Sequence, residues 1–181
     1  FVFPDVLNRI DVGAFAGAGL KGSLNIPEGV VEIGPGAFID NDFTGILTLP
    51  STLKKIGSGA FRECCFICPL NLPDGIEEIG SVCFENCRYL YGNLTLPSHL
   101  KKLGSAAFAK CSGLKGDLVI PKSLTVIPSD AFNACGLGGR LQLHDGITTI
   151  GNGAFGHNGF KGELDLPKSL TELGGNNFWG N

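Results

Sequence analysis

Cysteines are the side chains here with the most chemistry to offer. Cys64, Cys65, Cys68, Cys83 and Cys87 lie close together in the chain, and Cys111 and Cys135 complete a set of seven. On spacing alone the first five resemble a ligand cluster: zinc takes thiolates in a tetrahedron, and a disulfide needs two cysteines at bonding separation. The three histidines, His99, His144 and His157, are scattered, and no Ser or Cys stands in a nucleophile elbow. Glu77-Glu78 and the Asp40/Asp42 pair offer carboxylates, with solvation on turns or a back face as their default role. An enzyme is therefore not expected, and no cofactor is implied.

The elements that must position these residues explain most of them. Phenylalanine recurs at Phe15, Phe38, Phe61, Phe84, Phe108, Phe132, Phe155 and Phe178, always 23 or 24 residues apart. Proline keeps step at Pro4, Pro27, Pro50, Pro73, Pro97, Pro121 and Pro167, with His144 standing in once. Such a period marks a solenoid, in which each unit buries its apolar side against its neighbours. Three residues after each Phe comes a further column: Ala18, Asn41, Cys64, Cys87, Cys111, Cys135, Asn158 and Asn181. Asn and Cys share it because each can donate to a backbone carbonyl left open where the chain turns. Four of the cysteines thus follow from the repeat, and Cys83 takes an Ala position beside the core Phe as a small buried hydrophobe. Structural thiols are the leading reading; a disulfide through Cys65 or Cys68, or zinc, stays open beside it.

The 181 residues are 43% hydrophobic, and the 28 glycines fall at fixed places in the repeat, as tight corners require. A net charge of -3, with no face that collects Lys or Arg, excludes a polyanion footprint, so no nucleic acid is expected. No run approaches 18 apolar residues, so no span of a membrane is expected. The chain begins at Phe1, in register with the repeat and without an initiator Met, as a processed or truncated product would. We read residues 1–181 as a single repeat domain of about eight units that lacks both end caps. Phe178 continues the core column with no rung beyond it, so a larger parent or end-to-end self-association is expected.

Within a unit, Leu114-x-Gly116-x-Leu118-x-Ile120 alternates as a strand with one face inward, and Pro121 ends it. One such strand per turn predicts a parallel sheet. Its glycine column (Gly22, Gly45, Gly92, Gly116, Gly139, Gly162, with Cys68 as exception) suggests a close backbone approach. Val126-Ile127 and its equivalents are compatible with a short second strand, which three residues do not decide. The stretch Pro128-Ser129-Asp130-Ala131-Phe132 reads as a corner followed by a single helical or 3₁₀ turn.

Outward positions on the first strand are where a solenoid normally binds. The candidates for partner contact are Asn25, Thr48, Asn71, Asn93, Thr95, Asp117, Arg140, Gln142, Glu163 and Asp165, with Tyr91 at the edge. Val2, Val119, Ser23, Ile46 and Pro69 fill the same strip, and Tyr89 and Ile67 add apolar contact beside it. The strip is short-chained and nearly uncharged until its last third. A bland solvated face is one reading; a face for a protein or glycan is the other.

The unit C-x-x-L-x-G-x-L-x-[LI]-P-x-x-[LIV]-x-x-[IL]-G-x-x-A-F resembles the leucine-rich repeat of the Bacteroides and Treponema surface-antigen type, called BspA-like. It is clearest in Cys111 to Phe132, Cys87 to Phe108 and Asn41 to Phe61, and departs where Pro128 replaces the corner Gly. The resemblance implies an α/β-type solenoid, mostly β: a right-handed arc with a parallel concave sheet and short 3₁₀ or helical turns on the convex side. It also implies an extracellular or cell-surface protein that takes part in adhesion and has no shared catalytic residues. The partner would be a host or bacterial surface protein or glycan. The alternative function is an architectural spacer that presents other domains.

Overall fold

The computed structural model describes residues 2–181. Number the coils 1 to 8 by their column phenylalanine, from Phe15 to Phe178. Consecutive rings stack almost parallel through the whole chain: Phe61 to Phe84 and Phe84 to Phe108 are 5.4 and 5.5 Å apart, and the last pair, Phe155 to Phe178, is 6.0 Å apart. The six inner rings from Phe38 to Phe155 are fully buried, packed with the Leu, Ile and Ala columns of the same repeat. A second aromatic file, absent from the sequence reading, lies beside it. Phe43 stacks on Phe66 at 5.0 Å, and both turn their edges to the main file.

Each coil carries a two-residue strand five residues after its column proline, or after His144 in coil 7, which settles the open question about Val126-Ile127. Arg9–Ile10, Glu32–Ile33, Lys55–Ile56, Glu78–Ile79 and Lys102–Leu103 form one five-stranded parallel sheet. Val126–Ile127, Thr149–Ile150 and Glu172–Leu173 form a separate three-stranded one. A bond repeated along the first five coils holds this edge: the N–H of Gly34, Gly57, Gly80 and Gly104 donates to the preceding coil's Ile10, Ile33, Ile56 and Ile79 at 2.7–2.8 Å. Pro128 occupies the next place in that column and has no N–H to give. The sheet breaks there and resumes with Gly151 donating to Ile127.

The first strand of the coil, expected as the continuous sheet, is the more broken one. Lys21–Asn25 pairs with Asp42–Thr48, Gly92–Asn93 with Leu114–Lys115, and Leu118–Val119 with Leu141–Gln142, all parallel. Coil 4 contributes only a bridge from Pro69 to Tyr91, because Pro69 again lacks the donor a ladder needs. The glycine column in this strand has two causes. At Gly116 φ is +82°, and at Gly139 an added Cβ would lie 2.6 Å from the backbone N of Asp117.

The expected helical or 3₁₀ turn on the convex side is overturned: no helix occurs among the described residues. Two residues per corner, four apart, have φ between 50° and 76°: Gly13 and Gly17, Gly36 and Asp40, and so on to Asn176 and Gly180. A right-handed helix cannot pass through either. Backbone donors alternate instead. Ala107, Ala109 and Cys111 donate within their own coil to Gly104, Ala106 and Phe108, closing successive turns. Ala106, Phe108 and Lys110 donate outward to Ser129, Ala131 and Asn133 of the next coil. Locally Ser-Asp-Ala-Phe suits a helix start; in the stack, every second N–H finds a partner one coil away, and that competing ladder wins.

Candidate interaction face

The cysteines and asparagines of the corner column meet the expectation that residue type raised. Cys87, Cys111 and Cys135 direct Sγ to the carbonyls of Phe61, Phe84 and Phe108 at 3.0, 3.0 and 2.9 Å, each in the preceding coil. Asn41 and Asn158 reach Phe15 O and Phe132 O, both at 2.7 Å, and accept on Oδ1 as well, from Leu20 N and from Cys135 N and Leu137 N. All seven cysteines are free thiols. Burial pushes the thiols of Cys64 and Cys111 up to about 12 and those of Cys83, Cys87 and Cys135 well above the ordinary value. A thiol so hard to deprotonate is a poor nucleophile and a poor metal ligand. Among the described residues no three His, Cys, Asp or Glu side chains gather as a metal site.

The carboxylates are likewise occupied with the repeat. Glu28 accepts from Ser51 N and Ser51 Oγ, both at 3.0 Å, and these bonds hold its carboxyl below the usual range. Asp74 does the same two coils along, accepting from Ser98 N and Ser98 Oγ at 2.6 and 2.8 Å. Glu77 is lowered by its hydrogen bond to Lys101 Nζ. These groups tie one coil to the next and are not arranged around a reacting centre.

Asn25, Thr48, Asn71, Tyr91, Asn93, Thr95, Asp117, Arg140, Gln142, Glu163 and Asp165 are all exposed. Paired register sets Asn25 beside Thr48, Asn93 beside Lys115, and Val119 beside Gln142. Period-two alternation then makes the face a grid, with three outward residues per coil. Coils 3, 4 and 5 present Thr44, Ile46, Thr48; Ile67, Pro69, Asn71; and Tyr91, Asn93, Thr95, with no charge among them. Coils 6 to 8 present Lys115, Asp117, Val119; Gly138, Arg140, Gln142; and Lys161, Glu163, Asp165, which carry six charges. Ile46, Ile67 and Tyr91 stand 59%, 57% and 47% exposed, and Pro69 and Tyr91 bridge through the backbone. The sequence reading placed Tyr91 and Ile67 at the edge of the face. They belong instead to the same outward rows as Ile46 and Pro69, because Ile67 N donates to Gly45 O and so takes a place beside Ile46.

Two hollows open on this face. One of about 600 Å³ lies between coils 5 and 6, with Asn93, Thr95 and Asp117 on its walls. A smaller one of about 360 Å³ lies between coils 7 and 8 and is bounded by Arg140, Glu163 and Asp165. No helix is long and apolar enough to cross a membrane among the described residues.

Comparison with solved structures supports the same architecture. The chain is 23% identical to a leucine-rich repeat protein from T. pallidum, with a TM-score of 0.61, over 93% of this chain and 67% of that one. A leucine-rich repeat protein from Eubacterium ventriosum is 20% identical, with a TM-score of 0.55, over 92% of this chain and 53% of that one. At these identities the likeness shows the fold. Comparison with curated proteins gave no match. The family model for the BspA type leucine rich repeat region matches residues 1–115 and 90–181, in six copies. Its repeats serve protein interaction and carry no catalytic residues, which agrees with the absence of an enzyme reading above. By that match, which spans the whole chain, the protein belongs to the BspA-type leucine-rich repeat family.

Proposed function

We propose that this chain is an extracellular or cell-surface adhesion module whose first-strand face binds a surface protein, with coils 3 to 5 as the anchoring region. The observation that carries the reading is the uncharged patch of Ile46, Ile67, Pro69 and Tyr91, exposed on adjacent coils of a rigid stack. A contiguous exposed apolar patch with a polar rim marks an interaction surface. Tyr supplies wide apolar contact at small entropic cost and is enriched among residues that dominate binding energy. Asn25, Thr48, Asn71, Asn93 and Thr95 form the polar rim in this reading. Asp117, Arg140, Gln142, Glu163 and Asp165 steer approach and register, as rim charges do.

The competing function, an architectural spacer, has no need of an exposed aromatic on this face. Binding of the purified chain to a panel of host and bacterial surface proteins separates the two. The adhesion reading expects a reproducible partner whose affinity falls at least tenfold in Tyr91→Ala and Ile67→Asp, and two- to threefold in Arg140→Ala at low salt. Silence across the panel, or binding indifferent to Tyr91 and Ile67, overturns it in favour of a spacer.

A further inference from the structure

Unpaired backbone groups line the larger hollow. Between coils 6 and 7 the first strands are joined by Leu118 N to Arg140 O at 2.8 Å and Ile120 N to Gln142 O at 3.0 Å. One coil earlier the equivalent donors are the N–H groups of Leu94 and Leu96, and the equivalent acceptors are the carbonyls of Asp117 and Val119. None of these four groups makes that bond or another. The backbone pair is also missing between coils 3 and 4, 4 and 5, and 7 and 8; the gap between coils 5 and 6 differs in its volume and in having a single charge on its walls, whereas the smaller opening between coils 7 and 8 is walled by several.

An inserted residue shifts the register here, as it does between coils 4 and 5. Cys87-Arg88-Tyr89-Leu90 and Cys111-Ser112-Gly113-Leu114 each hold one residue more than Cys135-Gly136-Leu137 or Asn41-Asp42-Phe43. Each insertion closes as a turn, Leu90 N to Cys87 O and Leu114 N to Cys111 O. The strands then pair 22 residues apart at Gly92 with Leu114, while Pro97 and Pro121 are 24 apart. That mismatch must be absorbed between Asn93 and Leu96, where the two strands part.

We propose that this gap is a binding site for a neutral sugar, with unpaired backbone N–H and C=O groups as its recognition elements. The gap asks for a ligand with donors and acceptors close together, and each hydroxyl of a sugar supplies both. Its side-chain complement is Asn93, Thr95 and Ser98, with Asp117 as the sole ionised wall. A lone carboxylate repels phosphate, sulfate or sialic acid and accepts readily from hydroxyls. Val119 and Pro121 give an apolar surface for the C–H face of a pyranose, and the volume, about 600 Å³, lies within the usual range for small-molecule sites.

The test is ligand-observed and ¹⁵N amide NMR of the intact chain with lactose, maltose, cellobiose and diacetylchitobiose. At least one is expected to give saturable shifts at the Leu94 and Leu96 amides, with the dissociation constant raised at least fivefold in Thr95→Ala and binding lost in Val119→Trp, which fills the hollow. Asp117→Asn is a second probe: it keeps the oxygen that accepts from Arg140 N at 2.8 Å, so the fold is retained while the charge goes. Amide spectra of each variant establish folding. Absence of saturable shifts at both amides with all four sugars overturns the proposal, as do shifts that persist unchanged in a folded Val119→Trp. The two readings share Asn93, Thr95 and Asp117 and are told apart through Tyr91 and Ile67, which do not line the hollow.

Discussion

Coils 1 to 5 and coils 6 to 8 repeat the same sentence with different results on two surfaces. Along the second strands, the first group has one unbroken sheet whose leading residues alternate in charge: Arg9, Glu32, Lys55, Glu78 and Lys102 in register. Lys55 Nζ sits 3.7 Å from Glu32 and 3.8 Å from Glu78. The second group has Val126, Thr149 and Glu172 in that register, and a sheet that starts afresh. On the first-strand face the contrast is reversed, with coils 3 to 5 neutral and coils 6 to 8 charged. Exposed ion pairs of this length contribute little, so the charge ladder selects register more than it stabilises. The break teaches something simpler. In a solenoid each coil is tied to the next by a few repeated bonds, and one missing N–H at Pro128 parts an edge while the phenylalanine file runs on beneath it.

The largest expected effect comes from cutting that file at the junction. Phe108 is fully buried, with stacked neighbours at 5.5 and 5.7 Å. Phe108→Ala is expected to destabilise by about 4 kcal/mol. It should also separate urea unfolding into two transitions, since no second-strand bond then helps to couple the groups. Phe61→Ala, inside the unbroken sheet, is expected to cost a similar amount and leave one transition. Equal cooperativity in the two variants would remove the junction as a special place.

A smaller effect tests the corner column. Asn158→Ala strips the partner from Phe132 O and from the N–H groups of Cys135 and Leu137, a loss of about 3 kcal/mol in chemical unfolding. Cys135→Ala removes the thiol from Phe108 O, with a longer contact to Asn133 O, and is expected to cost about 1 kcal/mol. A reversed order would mean that the thiols pack and do not cap. The smallest effect is a pH dependence confined to coils 2 and 3. The carboxyl of Glu28 titrates lower folded than unfolded, so its contribution is present above the ordinary glutamate value and lost as pH falls through the folded one. Glu28→Gln should flatten the acid limb of the stability curve below about pH 4.5, by lowering stability at neutrality while leaving it little changed in acid. An identical acid limb in both proteins would show that Ser51 does not hold the carboxylate.

Much of this molecule was legible because side-chain type recorded neighbour geometry. Phe at a fixed interval became the stacked file, and Asn or Cys three residues on became the carbonyl cap. The helical turn was misread since Val82, Ala106, Lys110 and Ala134 give no local sign of a positive φ; stacking imposes it. The second aromatic file at Phe43 and Phe66 was present in the spacing but hidden, because the same column holds Leu20, Leu90, Leu114 and Leu137 and returns to Phe only at Phe160. The outward face was readable from alternation alone. Its apolar centre was not, because Ile67 joins the row through a backbone bond across Pro69's interrupted strand.

Hydrogen exchange across the coil 5 to coil 6 junction tests the central claim most directly. The amides of Phe108 and Lys110 donate to Ala131 O and Asn133 O, and should exchange only with global unfolding. Those of Thr125 and Val126 should exchange at least a hundredfold faster than Lys101 and Lys102, which donate to Glu77 O, and slow when Pro128→Gly restores the donor. Equal protection of Val126 and Lys102 in the natural sequence, or fast exchange at Phe108, would contradict a stack held by its interior file and unzipped along one edge.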